Sequence, residues 1–174
     1  GAHLSHLVDG LHKYASSLFS MDDLVGLLKE IRSKQDQEGI PFTDANIEIG
    51  FKYFVDKSAP ASGLKSLVGY DRGFEVNLNV SGYKAVSVTV PVSTVCPCSK
   101  EISDEGAHNQ RANITIMTKQ ALDDTRIIWL EDLIRLAERS GSGEVFTTLR
   151  RIDEKVLTER MFKSPVFVED VVRN

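Results

Sequence analysis

The chain has 174 residues, of which 41% are hydrophobic and 26% are charged, a composition typical of globular proteins with a substantial core. Its formal charge of -4 excludes proteins that bind nucleic acid through a broad basic surface. No apolar run approaches the roughly 20 residues that span a bilayer, and the first residues do not form a charged-then-apolar leader. These features predict a soluble, cytoplasmic protein. Two cysteines only one residue apart are more typical of thiol or metal chemistry than of a stabilising disulfide, which predicts a reducing compartment.

The beginning of the chain predicts two amphipathic helices. Apolar residues recur at helical spacing over residues 4–18. Ser20 is suited to cap a second helix, whose apolar positions are Leu24, Leu27, Leu28 and Ile31.

From residue 47 the apolar residues recur at every second position, which indicates strands. Alternate residues over 47–55 are apolar, which predicts a half-buried strand. After a loop at 58–66, strands at 74–80 and 86–92 flank a turn at 81–82 and predict a hairpin. Ile114 and Ile116 indicate a fourth strand.

The C-terminal part of the chain is predicted to be helical. The helical spacing of Leu130, Leu133, Ile134 and Ala137 indicates a helix, which ends at the Ser/Gly run at 140–143. Ser164 and Pro165 favour the start of a last short helix that reaches Val172. Trp129 and the valines of the third strand are assigned to the core. The sequential strands favour antiparallel pairing and an α+β architecture.

Chemically reactive side chains are densest at 94–111. The apolar residues of this segment have no regular spacing, so it is predicted to be a surface loop. Within it, Cys96 and Cys98 flank a proline, and His108 follows. Thiolate, imidazole and carboxylate are ligands that a zinc-like ion prefers, so either cysteine with His108 could supply two ligands. Candidates for a third ligand are Glu144, Glu154, Glu159 and Glu169. The spacing alone matches no recognised zinc signature, and a buried cysteine pair with a loop histidine is the alternative.

The same segment resembles the signature of the GTP cyclohydrolase IB family. The matching runs are TVPV at 89–92, CPCSKEIS at 96–103 and GAHNQR at 106–111. Further matches at 1–5, 59–67, 153–160 and 167–170 extend the resemblance over nearly the whole chain. His3 matches a histidine of the opening motif, but the usual Met and Arg nearby are replaced by Leu4 and His6.

This resemblance implies an α+β tunnelling fold, bimodular, with an antiparallel sheet and helices packed on one side. Residues 1–80 would form the C-terminal part of a first module, and residues 81–174 the N-terminal part of a second. The active-site loop would be 94–111. On this interpretation the chain lacks both ends of a longer protein, and a homotetramer with active sites at subunit interfaces is expected.

The resemblance also implies a reaction, in which GTP is converted to 7,8-dihydroneopterin triphosphate and formate at the start of folate and pterin synthesis. It implies Cys96 and His108 as catalytic residues and metal ligands. Glu154 is the implied carboxylate ligand, and Cys98 is the alternative thiol. The expected cofactor is a divalent metal, with zinc favoured and manganese or iron permitted.

Four residues are implied to bind the substrate. Glu169 is the counterpart of the family's purine anchor, because a carboxylate can accept both N–H groups on one edge of guanine; its alternative role is to favour the first turn of its helix. The triphosphate requires cations, and those nearest by motif are Lys65, Lys100 and Arg111. Each of these three could instead be an ordinary surface charge.

Two other functions stay open from the sequence. Residues 64–67 faintly match the tunnelling-fold nitrile reductase of queuosine synthesis, which uses NADPH, but the run HNQR at 108–111 disfavours that enzyme. A non-catalytic purine-binding scaffold is also allowed, because fold alone does not determine function. Such a scaffold would have no need of Cys96, His108 and Glu154 together.

Overall fold

A computed structural model describes residues 4–14, 20–37, 44–104 and 108–173 of the chain. Two helices come first, α1 (Leu4–Tyr14) and α2 (Met21–Gln37). The long strands are β1 (Asn46–Ser58), β2 (Lys65–Asn77), β3 (Tyr83–Val95) and β4 (Asn109–Ala121), and α3 (Pro97–Ile102) connects β3 to β4. The elements that follow are α4 (Leu130–Ser140), β5 (Gly143–Glu144), α5 (Arg151–Lys163) and α6 (Val168–Val171). Residues 15–18 of the predicted first helix, and His3, lie outside the described residues.

The long strands pair in chain order, β1-β2-β3-β4, in an antiparallel sheet with helices on one side, which confirms the predicted α+β class. Short connections favour this order, because an antiparallel pair needs only a tight turn whereas a parallel pair needs a long crossover. The short strand β5 pairs antiparallel with β3, with Val92 opposite Glu144 and Ser93 opposite Gly143. In such a sheet the β1–β2 turn at 59–64 lies at the same end as the end of β3 at Val95 and the start of β4 at Asn109.

Contacts divide the chain into two compact units, and the first comprises residues 1–50, 73–86 and 117–127. Its helix α2 has an apolar stripe with the i, i+3, i+4 spacing of an amphipathic helix. This stripe belongs to a core formed by Leu24, Val25, Leu27, Leu28, Ala45, Val76 and Leu78. At the start of α2, Asp22 accepts a hydrogen bond of 2.6 Å from the buried ammonium of Lys84.

The second unit comprises residues 51–72, 87–116 and 128–174. Alternate valines of β3 are buried in it, as predicted, because successive side chains of a strand point to opposite faces. The apolar residues of this core include Val88, Val90, Val92, Leu133, Ile134 and Ala137. The predicted division of the chain at residue 80 into parts of two modules stays a prediction.

Three sequence expectations about the sheet and its surroundings are wrong. The second strand begins at Lys65 and not at residue 74, since Ser66, Val68 and Tyr70 already alternate as buried positions. The segment 94–111 is not all loop, because Pro97 begins helix α3, where a proline at the first helical position loses no hydrogen bond. Trp129 is 60% exposed; it precedes α4 in an extended conformation and is not part of the helix.

The helices near the C-terminus differ from the prediction as well. The last helix begins at Val168, and Ser164 instead ends α5. The sequence pattern did not indicate α5, because only Asp153 and Leu157 are buried in it and two positions make no apolar stripe. None of the helices in the described part of the chain is long and apolar enough to cross a membrane.

Gly141 allows the end of α4 to approach β3 closely. A Cβ atom at position 141 would lie 2.9 Å from Cβ of Val92 and 3.3 Å from the carbonyl oxygen of Ser93. We therefore expect Gly141→Ala to lower the free energy of unfolding by about 1–3 kcal/mol through overpacking, as measured by urea denaturation.

Gly26→Ala is the matched control, because nothing lies within 4 Å of a Cβ atom at that position. Gly26 is exposed within α2, so this substitution should raise the free energy of unfolding by about 0.5–1 kcal/mol. Two variants of equal stability would contradict the close contact at Gly141.

Candidate functional site

The site begins where β3 ends and β4 starts. The backbone N–H of Cys96 donates a hydrogen bond of 3.1 Å to the carbonyl oxygen of His108, which continues the β3–β4 pairing beyond the strand ends. Cys96 is half-buried and His108 is exposed. The structure therefore brings together the backbones of two predicted metal ligands that are twelve positions apart in the sequence.

The two thiols differ in their tendency to ionise. The backbone N–H groups of Ser99 and Cys98, at the start of α3, lower the pKa of the Cys96 thiol. The pKa of the Cys98 thiol is raised, first by its hydrogen bond to Cys96 and then by burial and by the charges of Cys96 and Glu101. Since the thiolate is the form that binds metals, this difference favours Cys96 over Cys98 as a ligand.

A cavity of about 370 Å³ lies next to this pairing. Arg111 and Glu154, which are 43 positions apart in the sequence, both line it. Its other lining residues are Ser93, Asn109, Gln110, Glu144, Val145, Phe146, Leu149, Leu157, Thr158 and Met161. Arg111 is exposed, and no ion pair with another described residue holds it. Its charge is therefore available to an anionic ligand.

Glu144 on the cavity wall forms an ion pair with Lys57. The Lys57 ammonium lies 2.9 Å from a carboxylate oxygen of Glu144 and 2.6 Å from one of Glu138, and it is 4.4 Å from the centre of the Phe146 ring. The Tyr70 hydroxyl donates a further hydrogen bond of 2.9 Å to Glu138. The Lys57 and Glu138 side chains are each 10% exposed, so that ion pair is shielded from solvent, whereas the Glu144 side chain is 34% exposed.

Glu154 follows a buried carboxylate at the start of α5. Asp153 is fully buried and accepts hydrogen bonds from the backbone N–H groups of Ala61, Ser62 and Arg150 and from the Ser62 hydroxyl. Burial raises the pKa of Asp153, but the hydrogen bonds from Ser62, Arg150 and Ala61 outweigh it and hold the pKa well below its ordinary value.

Asp153 was not among the sequence candidates. A signal that could have found it is an acidic residue at the third position of a helix, where its side chain can accept the N–H of the residue that caps the helix. That signal was hidden because α5 itself was not predicted.

Two of the other predicted substrate residues, Lys65 and Glu169, do not line the cavity. Lys65 is an exposed residue at the start of β2, and Glu169 is an exposed residue of α6. The side chain of Lys100, in α3, lies outside the described part of the structure. The roles of these three residues stay predictions.

The donor chemistry of the predicted ligands suits a zinc-like ion. Cys96 offers a thiol of lowered pKa, His108 an imidazole and Glu154 a carboxylate, which are the three ligand types that zinc prefers. Among the described residues, however, no three His, Cys, Asp or Glu side chains are grouped closely enough to hold a metal ion. Cys96 and His108 thus lie together at the sheet end, and Glu154 lies on the cavity wall. The complete metal site stays a prediction.

Comparison with known proteins determines the family. The family model described as Type I GTP cyclohydrolase folE2 matches residues 1–174. The chain belongs to this family. The GTP cyclohydrolase FolE2 of Syntrophus aciditrophicus is 44% identical over 176 residues, which cover 100% of this chain and 65% of the relative. Those of Maridesulfovibrio salexigens and Nitrosospira multiformis are 42% and 41% identical over 175 residues, covering 100% of this chain and 64% and 63% of the relatives.

The chain spans less than two thirds of the length of these GTP cyclohydrolase relatives. Membership of the folE2 family confirms the cyclohydrolase part of the resemblance found at 96–103 and 106–111. The narrower IB assignment and the tunnelling fold stay predictions.

The two thiols of this folE2-family chain are expected to react differently when no metal is bound. Because its pKa is lowered, Cys96 carries more thiolate near neutral pH than an ordinary cysteine, whereas Cys98, whose pKa is raised, carries less. Iodoacetamide reacts with the thiolate. In the Cys98→Ser protein, Cys96 should therefore reach its half-maximal alkylation rate at lower pH than the cysteine of a short unstructured peptide, as measured by mass spectrometry. Identical pH profiles would show that the N–H groups of α3 do not stabilise the Cys96 thiolate.

Proposed function

We propose that this protein is a metal-dependent GTP cyclohydrolase of the IB type, which converts GTP to 7,8-dihydroneopterin triphosphate and formate for folate and pterin synthesis. The observation that carries the proposal is the meeting of Cys96 with His108 beside a cavity lined by Arg111 and Glu154, in a chain that matches a GTP cyclohydrolase family along its whole length. The names of the relatives give the reaction, and the chemistry of these residues suits it.

Cys96, His108 and Glu154 would hold the divalent ion, and zinc suits this ligand set best. When bound, such an ion supplies a Lewis acid that makes water a usable nucleophile near neutral pH. The contribution of this chain is to lower the pKa of Cys96 through the N–H groups at the start of α3, which favours the thiolate that a metal binds. The neighbouring pairing of Lys57 with Glu144 leaves Glu154 as the cavity carboxylate without an ion-pair partner among the described residues.

Different residues would bind the two ends of the substrate. Arg111 would bind the triphosphate, with Lys65 and Lys100 adding positive charge, and Glu169 would accept the two N–H groups of guanine. The cavity of about 370 Å³ lies near the lower end of the range of small-molecule pockets, about 300–1,000 Å³. It therefore suits one part of the nucleotide, in agreement with a homotetramer of bimodular tunnelling-fold chains whose subunits complete each other's sites.

The two unpaired cysteines agree with a reducing, cytoplasmic location, because disulfides are rare in that compartment.

The decisive experiment incubates the full-length, zinc-loaded protein with GTP and follows formate release together with pterin fluorescence. We expect equal amounts of both products without NADPH. Cys96→Ser should lower kcat/KM by about 100-fold or more, since even the loss of an outer-shell partner of a metal ligand costs about 10–100-fold.

Cys98→Ser is the matched control, because it makes the same chemical change two residues away, and it should keep most of the activity. An inactive Cys98→Ser protein together with an active Cys96→Ser protein would contradict the ligand assignment. GTP binding without turnover would indicate a scaffold, and NADPH-dependent reduction of a nitrile would indicate the reductase.

Glu169→Gln is expected to weaken binding of GTP more than binding of ATP. An amide offers one acceptor oxygen to the two N–H groups of guanine, and its own NH2 group opposes the other donor. A lost hydrogen bond to a charged group is worth about 1.5–3 kcal/mol, which corresponds to a roughly 10- to 100-fold weaker affinity in calorimetry. Asp170→Asn removes the same charge from the neighbouring position and should leave the GTP/ATP ratio unchanged. An equal change of that ratio in both variants would eliminate Glu169 as the purine anchor.

A further inference from the structure

A single buried carboxylate joins the β1–β2 turn to the start of α5. The oxygen Oδ1 of Asp153 accepts the N–H groups of Ala61 at 2.9 Å and Ser62 at 2.7 Å. The oxygen Oδ2 accepts the Ser62 hydroxyl at 2.6 Å and the N–H of Arg150 at 2.9 Å. Asp153 is 0% exposed, and no lysine or arginine among the described residues forms an ion pair with it. Neutral donors from two separate segments therefore stabilise its charge.

The turn that Asp153 holds is itself closed by hydrogen bonds. Within residues 59–64, the N–H of Ala59 donates to the carbonyl oxygen of Leu64 at 2.9 Å, and the N–H of Gly63 donates to the carbonyl oxygen of Ala59 at 3.1 Å. The Ser62 hydroxyl accepts the N–H of Leu64 at 3.2 Å while donating to Asp153. The turn is therefore held in shape by its own hydrogen bonds. Its bonds to Asp153 then join it to the start of α5.

The residue that follows each of these two segments is a proposed member of the active site. Lys65 comes directly after the turn, and Glu154 comes directly after Asp153 on α5. Glu154 lies on the cavity wall with Arg111. A displacement of α5 or of the turn would therefore change the position of one residue relative to the other.

We infer that Asp153 is a positioning residue of the active site, which fixes Glu154 relative to Lys65 by hydrogen bonding the β1–β2 turn to the first turn of α5. This inference rests on the proposed function for the roles of Glu154 and Lys65. Asp153 touches neither the substrate nor the metal in this assignment, so it acts only through Glu154 and Lys65.

The requirement is for a carboxylate and not merely for a polar side chain. Both oxygens of Asp153 accept two hydrogen bonds each, whereas asparagine has a single acceptor oxygen. In Asp153→Asn the amide nitrogen would face either the N–H groups of Ala61 and Ser62 or the N–H of Arg150. One of the two segments must then move away from the other.

The test measures zinc affinity of the full-length protein by competition with a chromophoric chelator, alongside kcat and KM for GTP. Asp153→Asn should weaken zinc binding by about 10- to 100-fold, the cost usually seen when a group that orients a metal ligand is lost. Ser62→Ala, which removes one of the four donors and keeps the carboxylate, should weaken it in the same direction by less. This second variant still tests the inference if Asp153→Asn does not fold.

Asp132→Asn is the matched control. Asp132 is the third residue of α4, as Asp153 is of α5, but its side chain is 58% exposed and pairs with Arg135. The same substitution at the same helix position should therefore leave zinc affinity unchanged.

A double-mutant cycle with Glu154→Gln separates positioning from general stabilisation. If Asp153 acts through Glu154, Asp153→Asn will have little further effect on zinc affinity once Glu154 is replaced. Unchanged zinc affinity in both Asp153→Asn and Ser62→Ala, with only a lower melting temperature, would overturn the inference even in an active enzyme. A protein that shows the coupling but releases no formate from GTP would support the inference and overturn the proposed function.

Discussion

Cys96 meets His108 because β3 and β4 pair antiparallel in one continuous register. The hydroxyls of Thr89 and Thr115 lie 2.9 Å apart, and the Cys96–His108 backbone bond follows seven residues further along each partner. Equal spacing on both strands means that no bulge interrupts the pairing. A slip by one residue would turn every side chain of β4 to the opposite face, so the position of Arg111 on the cavity wall depends on this register as well.

The short helix α3 makes the pKa values of the two thiols at this end of the sheet differ. Its first N–H groups have no partner within the helix, and those of Cys98 and Ser99 lower the pKa of the Cys96 thiol. The same helix places the sulfur of Cys98 where its own ionisation is disfavoured by Cys96. Two cysteines separated only by Pro97 thus acquire different properties from backbone geometry.

Two buried charges around the site are stabilised by different means. Lys57 is paired with two carboxylates, Glu138 and Glu144, so its positive charge is more than balanced within this cluster. Asp153 has no cationic partner among the described residues and is stabilised by N–H and O–H donors of 59–64 and Arg150. Around the same cavity, Arg111 and Glu154 form no ion pair with another described residue.

The sequence by itself determined the elements whose burial follows a simple period, and the motif that identifies the family. The alternating valines of β3 and the stripe at Leu133, Ile134 and Ala137 in α4 predicted both elements, because one face of each is buried. Only the tertiary structure decided what lies beside what. Helix α5 buries little more than Asp153 and Leu157, so its pattern carries no periodic signal, and the partners of Asp153 in the β1–β2 turn, Ala61 and Ser62, are some ninety positions away. Hydrogen bonds across such distances depend on how the strands and helices pack, and local sequence patterns do not record that packing.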